Sequence, residues 1–312
     1  MPHIAKGCVP VNEKKPGSAG RKNIILNIIM VVCVVAILVC GCQIVYSMTE
    51  YKKAKDKHED LSSIMDSLIN DPSTTETAGV TTTKEPPVTT TADPGEATVS
   101  ETTETTEPAP VPREEYREIY EQLSTMKAQY PDLFGWIYIK FDDKHIINLP
   151  VMQGDDNSFY IHHAYDGTES KSGSICVDYR NTDRRIDLNQ NIIFYGHHMN
   201  DGSMFASIAT KYKVRANFDA VPIIFYSMEG VYTFNVFSIY NAKAGDDFDT
   251  IAFGGDRLKQ FCLDKQTKSF FSKKLTFDKQ KTIVTLVTCT NFGSEGRVIV
   301  HGVLDGYDSF FD

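Results

Sequence analysis

The sequence has little positive charge. Its 312 residues contain 32 Lys and Arg against 41 Asp and Glu, which gives a formal net charge of −9. Binding to nucleic-acid phosphates needs clustered basic side chains, so this acidity argues against nucleic acid as a partner. The sequence also has no CxxC pair, which argues against structural zinc. Two double-histidine pairs, 162–163 and 197–198, have no carboxylate at a fixed ligand spacing, so we expect no metal and no other cofactor.

Charge is absent altogether from residues 24–46, an apolar run of 23 residues. A helix rises about 1.5 Å per residue, so the run would reach about 34 Å, and a hydrocarbon core is about 30 Å thick. The run is also longer than the apolar region of a signal peptide, which has about 7–15 residues. We therefore predict one transmembrane helix at residues 24–46. Lipoprotein processing at Cys42 is the weaker alternative.

The basic residues beside this span do not orient it, because five precede it and four come closely after it. The chain on its C-terminal side does orient it, because a Thr- and Pro-rich segment and a large domain are typical of the cell exterior. We predict a cytoplasmic tail at residues 1–23, a single-pass location in the cell membrane, and an extracytoplasmic domain.

Two segments separate the span from that domain. Residues 47–70 form a membrane-proximal amphipathic segment, with apolar residues at helical spacing: Leu61, Ile64, Met65 and Leu68. Residues 71–112 contain no aromatic residue, but 14 Thr and 7 of the 13 Pro, with a net charge of −7. Such a composition buries too little apolar surface to offset the entropy of ordering. We predict a disordered stalk that acts as a spacer, with glycosylation or a wall contact as alternatives.

Residues 113–312 have a suitable size for one hydrophobic core. They begin with an amphipathic helix at residues 113–130. Short apolar runs between turn residues then predict eight strands, near residues 136–140, 145–151, 174–178, 191–195, 222–226, 231–240, 282–288 and 297–304. Helical patterns occur at residues 203–212 and 255–271. Many short strands with few helices predict a mainly β domain of the α+β class, a closed barrel or a sandwich.

The cysteines of this domain are three, so they cannot all pair with one another. Cys176 lies in an apolar strand and Cys262 in an amphipathic helix, and both are predicted to be packed as small hydrophobic residues. Cys289 instead ends the apolar run 282–289, where the sequence becomes polar, so its thiol would be held rigidly at a surface. Arg297 opens the next strand, and a nearby cation favours the nucleophilic thiolate.

A histidine is available as the acid or base that such a thiol needs. The apolar strand at residues 191–195 leads through a glycine to His197 and His198 in a loop. His197 is the candidate general acid and base. The other histidine pair, at residues 162–163, is an equally good candidate on spacing alone. Spacing alone leaves both a catalytic and a structural explanation of these residues open.

The local sequences resemble those of one family. Residues 285–289 read TLVTC, which resembles the TLxTC signature of sortases, the cysteine transpeptidases of Gram-positive surfaces. Arg297, eight positions later, matches the arginine of that family, and residues 195–199, YGHHM, match its histidine segment. Residues 173–178, GSICVD, are similar to class B in particular. The resemblance covers essentially all of residues 113–312.

This resemblance implies a closed eight-stranded β-barrel with an N-terminal helix and a helical insertion between late strands. It implies that Cys289 is the nucleophile and that His197 protonates the leaving amine and later deprotonates the attacking one. Arg297 would orient the peptide and stabilise the oxyanion. The implied partners are secreted proteins bearing a C-terminal sorting signal and the amine of a lipid-linked peptidoglycan precursor.

The same resemblance implies a substrate groove. Asn157 and Ile161 match positions that line it in class B enzymes, and Thr288 adjoins the nucleophile. Val287 stands where many class B members have Ser, which changes the polarity of the groove. The alternatives are a pilin-polymerising sortase, a cysteine endopeptidase and a non-catalytic stalked adhesin. The pilin-polymerising type carries a second membrane segment at its C-terminal end. The residues up to Asp312 contain no run that resembles one.

Overall fold

The structure is a computed structural model that describes residues 18–70, 110–182, 185–243, 245–273, 282–289 and 296–312. The chain divides into two compact units, Met1–Lys52 and Lys53–Asp312. Residues 1–17 of the predicted tail and residues 71–109 of the predicted stalk lie outside the described residues, as does most of the polar loop after Cys289.

The described part of the first unit is the N-terminal part of one helix, α1, which spans Ser18–Ile69. Of the described helices, this one alone is long and apolar enough to cross a membrane. Its apolar side chains are exposed along the predicted span, as at Ile37 and Leu38. Because an apolar surface of this extent is unfavourable in water, α1 is a candidate membrane anchor.

The C-terminal part of α1 belongs to the second unit. Met65 is completely buried there, in a cluster with Leu123 and Trp136. Ser62 donates its hydroxyl to the carbonyl of Asn148, and the Asn148 side chain donates back to the Ser62 carbonyl at 2.9 Å. The folded unit therefore includes a helix that lies before the predicted domain start at residue 113.

Eight strands form a closed barrel in the order β1-β2-β3-β4-β7-β8-β6-β5, as the sequence analysis implied. Their bounds are Leu133–Asp142, His145–Met152, Ile175–Val177, Asn191–Tyr195, Ile223–Tyr226, Gly230–Lys243, Ile283–Cys289 and Gly296–Ser309 for β1 to β8. Each overlaps one of the eight predicted strands. Two neighbouring pairs are parallel, β2 with β3 and β4 with β7, and the others are antiparallel.

Five further helices lie on the described part of the second unit. They are α2, α3, α4, α5 and α6, at Arg117–Gln129, Phe159–His162, Ala206–Lys211, Arg215–Ala220 and Arg257–Lys268. Helix α2 comes directly after a 3₁₀ turn at Glu114–Tyr116 and confirms the predicted N-terminal helix. Helix α6 lies between β6 and β7, where the resemblance implied a helical insertion.

Burial follows from the periodicity of each element. In β6, Tyr232, Phe234 and Val236 are buried, whereas the residues between them are half-buried, because one face of an antiparallel strand meets the core. Strand β7 is mostly apolar, and its residues 283–288 are all buried, Thr285 and Thr288 included, since it is covered on both faces. Trp136, the one tryptophan, is also fully buried and donates its indole N–H to Asn148.

Candidate active site

Two parallel strands, β4 and β7, end side by side. Tyr195 lies opposite Val287 in their register, and the backbone N–H of Gly196 donates to the carbonyl of Val287 at 3.1 Å. His197 is two residues past Tyr195, and Cys289 is two residues past Val287. Because carboxyl ends of parallel neighbours meet at one edge, the chain brings His197 and Cys289 to the same edge of the barrel.

Arg297 reaches this edge from the other side of β7. Strand β8 runs antiparallel to β7, and the Cα of Arg297 lies opposite that of Cys289. The Arg297 side chain is half-buried and donates from Nη1 to the Gly296 carbonyl at 3.0 Å. The backbone positions of all three sequence-predicted residues, His197, Cys289 and Arg297, thus lie at or just beyond the ends of three adjacent strands.

The His197 ring is fixed by a backbone acceptor. Its Nε2 lies 2.8 Å from the carbonyl oxygen of Ile161. A carbonyl can only accept, so Nε2 carries the hydrogen, and the neutral ring has its lone pair on Nδ1. Burial lowers the pKa of His197, the contact with Ile161 opposes that shift, and the His162 ring, with its centroid 6.3 Å away, adds to it. The lowered pKa favours the neutral imidazole, which can accept a proton at Nδ1.

The loop after His197 folds back on the strand end. Phe205 donates its backbone N–H to the carbonyl of His197 at 2.9 Å, and His198 forms a bridge with Met204. Met204 has a positive φ of 56°. His198 is half-buried, and its Nδ1 has no hydrogen-bond partner among the described residues. These two contacts fix the backbone on the C-terminal side of His197.

The predicted groove residues occupy different surroundings. Ile161 is half-buried and supplies the carbonyl that His197 contacts. Thr288 is buried, and its hydroxyl has no hydrogen-bond partner among the described residues. Val287 is only 3% exposed and packs in an apolar cluster with Phe248 and Ile299.

Asn157 is tied to a polar cluster that the sequence analysis did not identify. Its amide donates to Asp178 Oδ2 at 3.0 Å and accepts the backbone N–H of Tyr179 at 2.9 Å. Asp178 is fully buried and receives two hydrogen bonds from Arg180, at 2.9 and 2.8 Å, and one from the Tyr195 hydroxyl at 2.9 Å. Burial alone would raise the pKa of Asp178, but the bonds from Arg180 and Tyr195 outweigh it and lower that pKa.

This cluster lies directly behind the histidine. Tyr195 is two residues before His197 on β4, and Asp178 comes immediately after β3, the neighbour of β4. Arg180 also contacts the Asp249 carbonyl and carboxylate, at 3.1 and 3.3 Å. The signal in the sequence was an Asp-x-Arg pair immediately after a buried strand, a spacing that allows a bidentate contact.

The remaining cysteines of the domain are not candidates for nucleophilic chemistry. Cys176 and Cys262 are buried, as predicted, and burial raises the pKa of each thiol to about 12. The described residues include no group of three His, Cys, Asp or Glu side chains able to hold a metal ion.

Known proteins share this sequence and fold. The sortase domain family matches residues 144–305. Sortase B of Listeria monocytogenes is 31% identical over 192 residues, which make up 60% of this chain and 75% of the relative. A mutant form of Clostridium perfringens sortase B superposes with a TM-score of 0.55 at 29% identity, covering 62% of this chain and 90% of that one. A Staphylococcus aureus sortase B–substrate complex gives a TM-score of 0.53 at 28% identity, covering 60% and 85%.

The closed barrel and these matches are those of a cysteine transpeptidase. The chain belongs to the sortase family, and within that family it is of class B.

Proposed function

We propose that this sortase is a membrane-anchored enzyme that cleaves a C-terminal sorting motif after Thr and joins the released protein to the amine of a cell-wall precursor. Cys289 is the nucleophile, His197 the general acid and base, and Arg297 the residue that positions the peptide and stabilises the oxyanion. The observation that carries this proposal is the parallel register of Tyr195 with Val287, which supports the meeting of His197 and Cys289 at one edge.

The first half of the reaction forms a thioacyl enzyme. The Cys289 thiol gives its proton to neutral His197 as its sulfur attacks the Thr carbonyl, and the S–C bond forms as the amide bond to the next residue breaks. The leaving amine takes a proton from the His197 imidazolium. Arg297 cannot act as a base, since a guanidinium stays charged, but its N–H groups suit the developing oxyanion.

The second half transfers the acyl group. The precursor amine attacks the thioester carbonyl, loses a proton to neutral His197 and expels the thiolate. The Nδ1 lone pair that the Ile161 contact leaves on the ring supports this step. The groove proposed for the motif runs along Ile161 and Asn157, with Thr288 and Val287 beside the nucleophile. The S. aureus relative solved as a sortase B–substrate complex supports a peptide substrate.

Membrane anchoring completes the proposal. The candidate span in α1 would tether the enzyme, with its N-terminus in the cytoplasm, to the surface where secreted clients and lipid-linked precursors meet. Shared tethering raises effective concentration without any new contact.

The test uses the full chain in detergent micelles with a library of fluorogenic sorting-motif peptides and a triglycine amine as acceptor probe. We expect cleavage after Thr, a thioacyl adduct on Cys289 detected by mass spectrometry, and a product joined to triglycine. Cys289→Ala abolishes all three, whereas the matched control Cys262→Ala retains them. Hydrolysis without transfer to triglycine would instead indicate an endopeptidase, and full activity of Cys289→Ala would refute the nucleophile assignment.

A further inference from the structure

A row of four buried polar side chains crosses the wall of the barrel. Each comes from a different strand of the run β4-β7-β8-β6: Asn191, Thr285, His301 and Tyr240. The first three are 0% exposed and Tyr240 is 4% exposed. The Thr285 hydroxyl oxygen lies 2.7 Å from Asn191 Oδ1 and 2.9 Å from His301 Nδ1, and the Tyr240 hydroxyl lies 3.2 Å from His301 Nε2.

For a neutral imidazole, only one arrangement of protons satisfies this row. The Asn191 amide nitrogen donates to the Thr250 carbonyl at 2.8 Å, so Asn191 Oδ1 is the acceptor for Thr285. The single hydroxyl hydrogen of Thr285 is used there, and its oxygen must therefore accept a hydrogen from His301 Nδ1. Nε2 then has the lone pair that the Tyr240 hydroxyl needs as acceptor. The other tautomer would leave the oxygens of Thr285 and Asn191 2.7 Å apart without a hydrogen.

Aromatic rings surround His301 among the described residues. Phe237 and Tyr240 stack against the ring at centroid distances of 5.8 and 5.7 Å, and Phe261 of α6 meets it edge-on at 5.6 Å. Burial and the ammonium of Lys265 together lower the pKa of His301 to about 3, so the ring is neutral. Inside such an apolar enclosure an unpaired polar atom is costly, which makes the row an all-or-none unit.

The same strands carry the three candidate active-site positions. Thr285 is four residues before Cys289 on β7, and His301 is four residues after Arg297 on β8. At about 3.3 Å per residue, each lies about 13 Å from the edge. A shift in strand register that displaced His197, Cys289 or Arg297 would also break the row. The four side chains of the row meet only in the observed register.

We propose that Asn191, Thr285, His301 and Tyr240 form a directional hydrogen-bond row that positions His197, Cys289 and Arg297 relative to one another, with His301 fixed as the neutral Nδ1–H tautomer. This inference rests on the proposed function for the roles of those three residues. The four residues are positioning residues, since none contacts the reacting atoms.

The decisive pair of variants is Thr285→Val and Thr285→Ser, in the full chain in micelles. Val keeps the shape of Thr but removes the hydroxyl, whereas Ser keeps the hydroxyl. We expect Thr285→Val to lower kcat for peptide cleavage about tenfold, with KM within about twofold of wild type, because misplacement acts on the chemical step. Thr285→Ser restores kcat. Both are assayed well below the unfolding temperature of each variant.

The tautomer is read independently of activity. In protein with ¹⁵N-labelled histidine, the His301 ring signals, assigned with His301→Gln, should show the Nδ1–H pattern at pH 7 and keep it at pH 5. They should do so in Cys289→Ala as well. An Nε2–H tautomer, an imidazolium, or full kcat in folded Thr285→Val would overturn the proposal.

Failure of the proposed function can be distinguished from failure of the positioning role. If wild type cleaves no sorting peptide, the spectrum still decides the tautomer. The alkylation rate of the Cys289 thiol by iodoacetamide, measured by mass spectrometry, still tests positioning. We expect a several-fold change in Thr285→Val and none in Thr285→Ser, and equal rates in all three proteins would contradict the positioning role.

Discussion

Gly196 donates its backbone N–H to the carbonyl of Val287 at 3.1 Å, one residue before His197 and two before Cys289. This bond joins the ends of β4 and β7, two parallel strands that are separated in the chain by β5, β6 and α6. Among the described residues it is the last backbone hydrogen bond between these two strand ends before the candidate acid–base and the candidate nucleophile, and the surroundings of Gly196 make it sensitive to substitution.

Gly196→Ala is expected to separate those two residues. An added Cβ would lie 2.5 Å from Ile175 Cδ1 and 2.8 Å from Phe205 Cδ2, well inside contact distance. Overpacking of this kind costs about 1–3 kcal/mol, so we expect a lower free energy of unfolding in urea and a loss of peptide cleavage. Gly306→Ala is the matched control, because nothing lies within 4 Å of its added Cβ. Wild-type activity in Gly196→Ala would contradict the close fit.

Asp178→Asn is expected to weaken the cluster behind His197 in a pH-dependent way. The substitution removes the carboxylate that Arg180 and Tyr195 contact, and leaves polar groups poorly paired, at a cost of about 1–3 kcal/mol near pH 7. The folded protein lowers the pKa of Asp178 below its ordinary value of about 3.9. The carboxylate therefore stabilises the fold above that value, and this contribution is lost as the pH falls through the folded pKa.

The measurement is urea unfolding of wild type and Asp178→Asn near pH 7 and near pH 3. We expect the difference between them to be largest at the higher pH and to shrink at the lower one. Asp249→Asn is the control, since that half-exposed carboxylate should contribute less than about 1 kcal/mol. A difference that does not depend on pH would show that Asp178 does not stabilise the fold through its charge.

His162→Gln is expected to raise the pKa of His197. The two ring centroids are 6.3 Å apart, and a second positive charge there disfavours protonation of His197. Replacing His162 removes one of the causes that lower the pKa of His197, so that pKa should rise. An NMR titration of the His197 ring measures it. The control is His163→Gln, because the His163 ring stacks on Phe159 instead. A fall in the pKa of His197 would be inconsistent with this arrangement.

The strands of the barrel could be predicted because each is a short apolar run between turn residues, and Ile283–Cys289 is the clearest case. The strands that pair with β7 in the barrel could not be predicted from that pattern. Strand β7 pairs with β4 across more than 80 residues of chain, a long-range choice that periodicity does not encode. The strand pattern left a closed barrel and a sandwich open, and only the resemblance to sortases favoured the barrel.

The same limit applies around the site. The tripeptide from Asp178 to Arg180 showed a usable spacing, but its partners Asn157 and Tyr195 come from other elements. The apolar face of the segment at residues 47–70 could be predicted too. A helix with such a face can lie against lipid or against protein, and nothing in the spacing decides between them.

Met65→Ala tests the protein side of that choice. Met65 is 0% exposed and packs with Leu123 and Trp136, so its truncation should leave a cavity and cost about 2–5 kcal/mol of the free energy of unfolding. Urea unfolding monitored by tryptophan fluorescence measures it, because Trp136 is the one tryptophan and lies in the same cluster. Ile64→Ala is the matched control on the same helix turn: Ile64 is 45% exposed, and its truncation should cost less than about 0.5 kcal/mol. Equal costs for the two variants would mean that this helix does not pack on the catalytic domain through Met65.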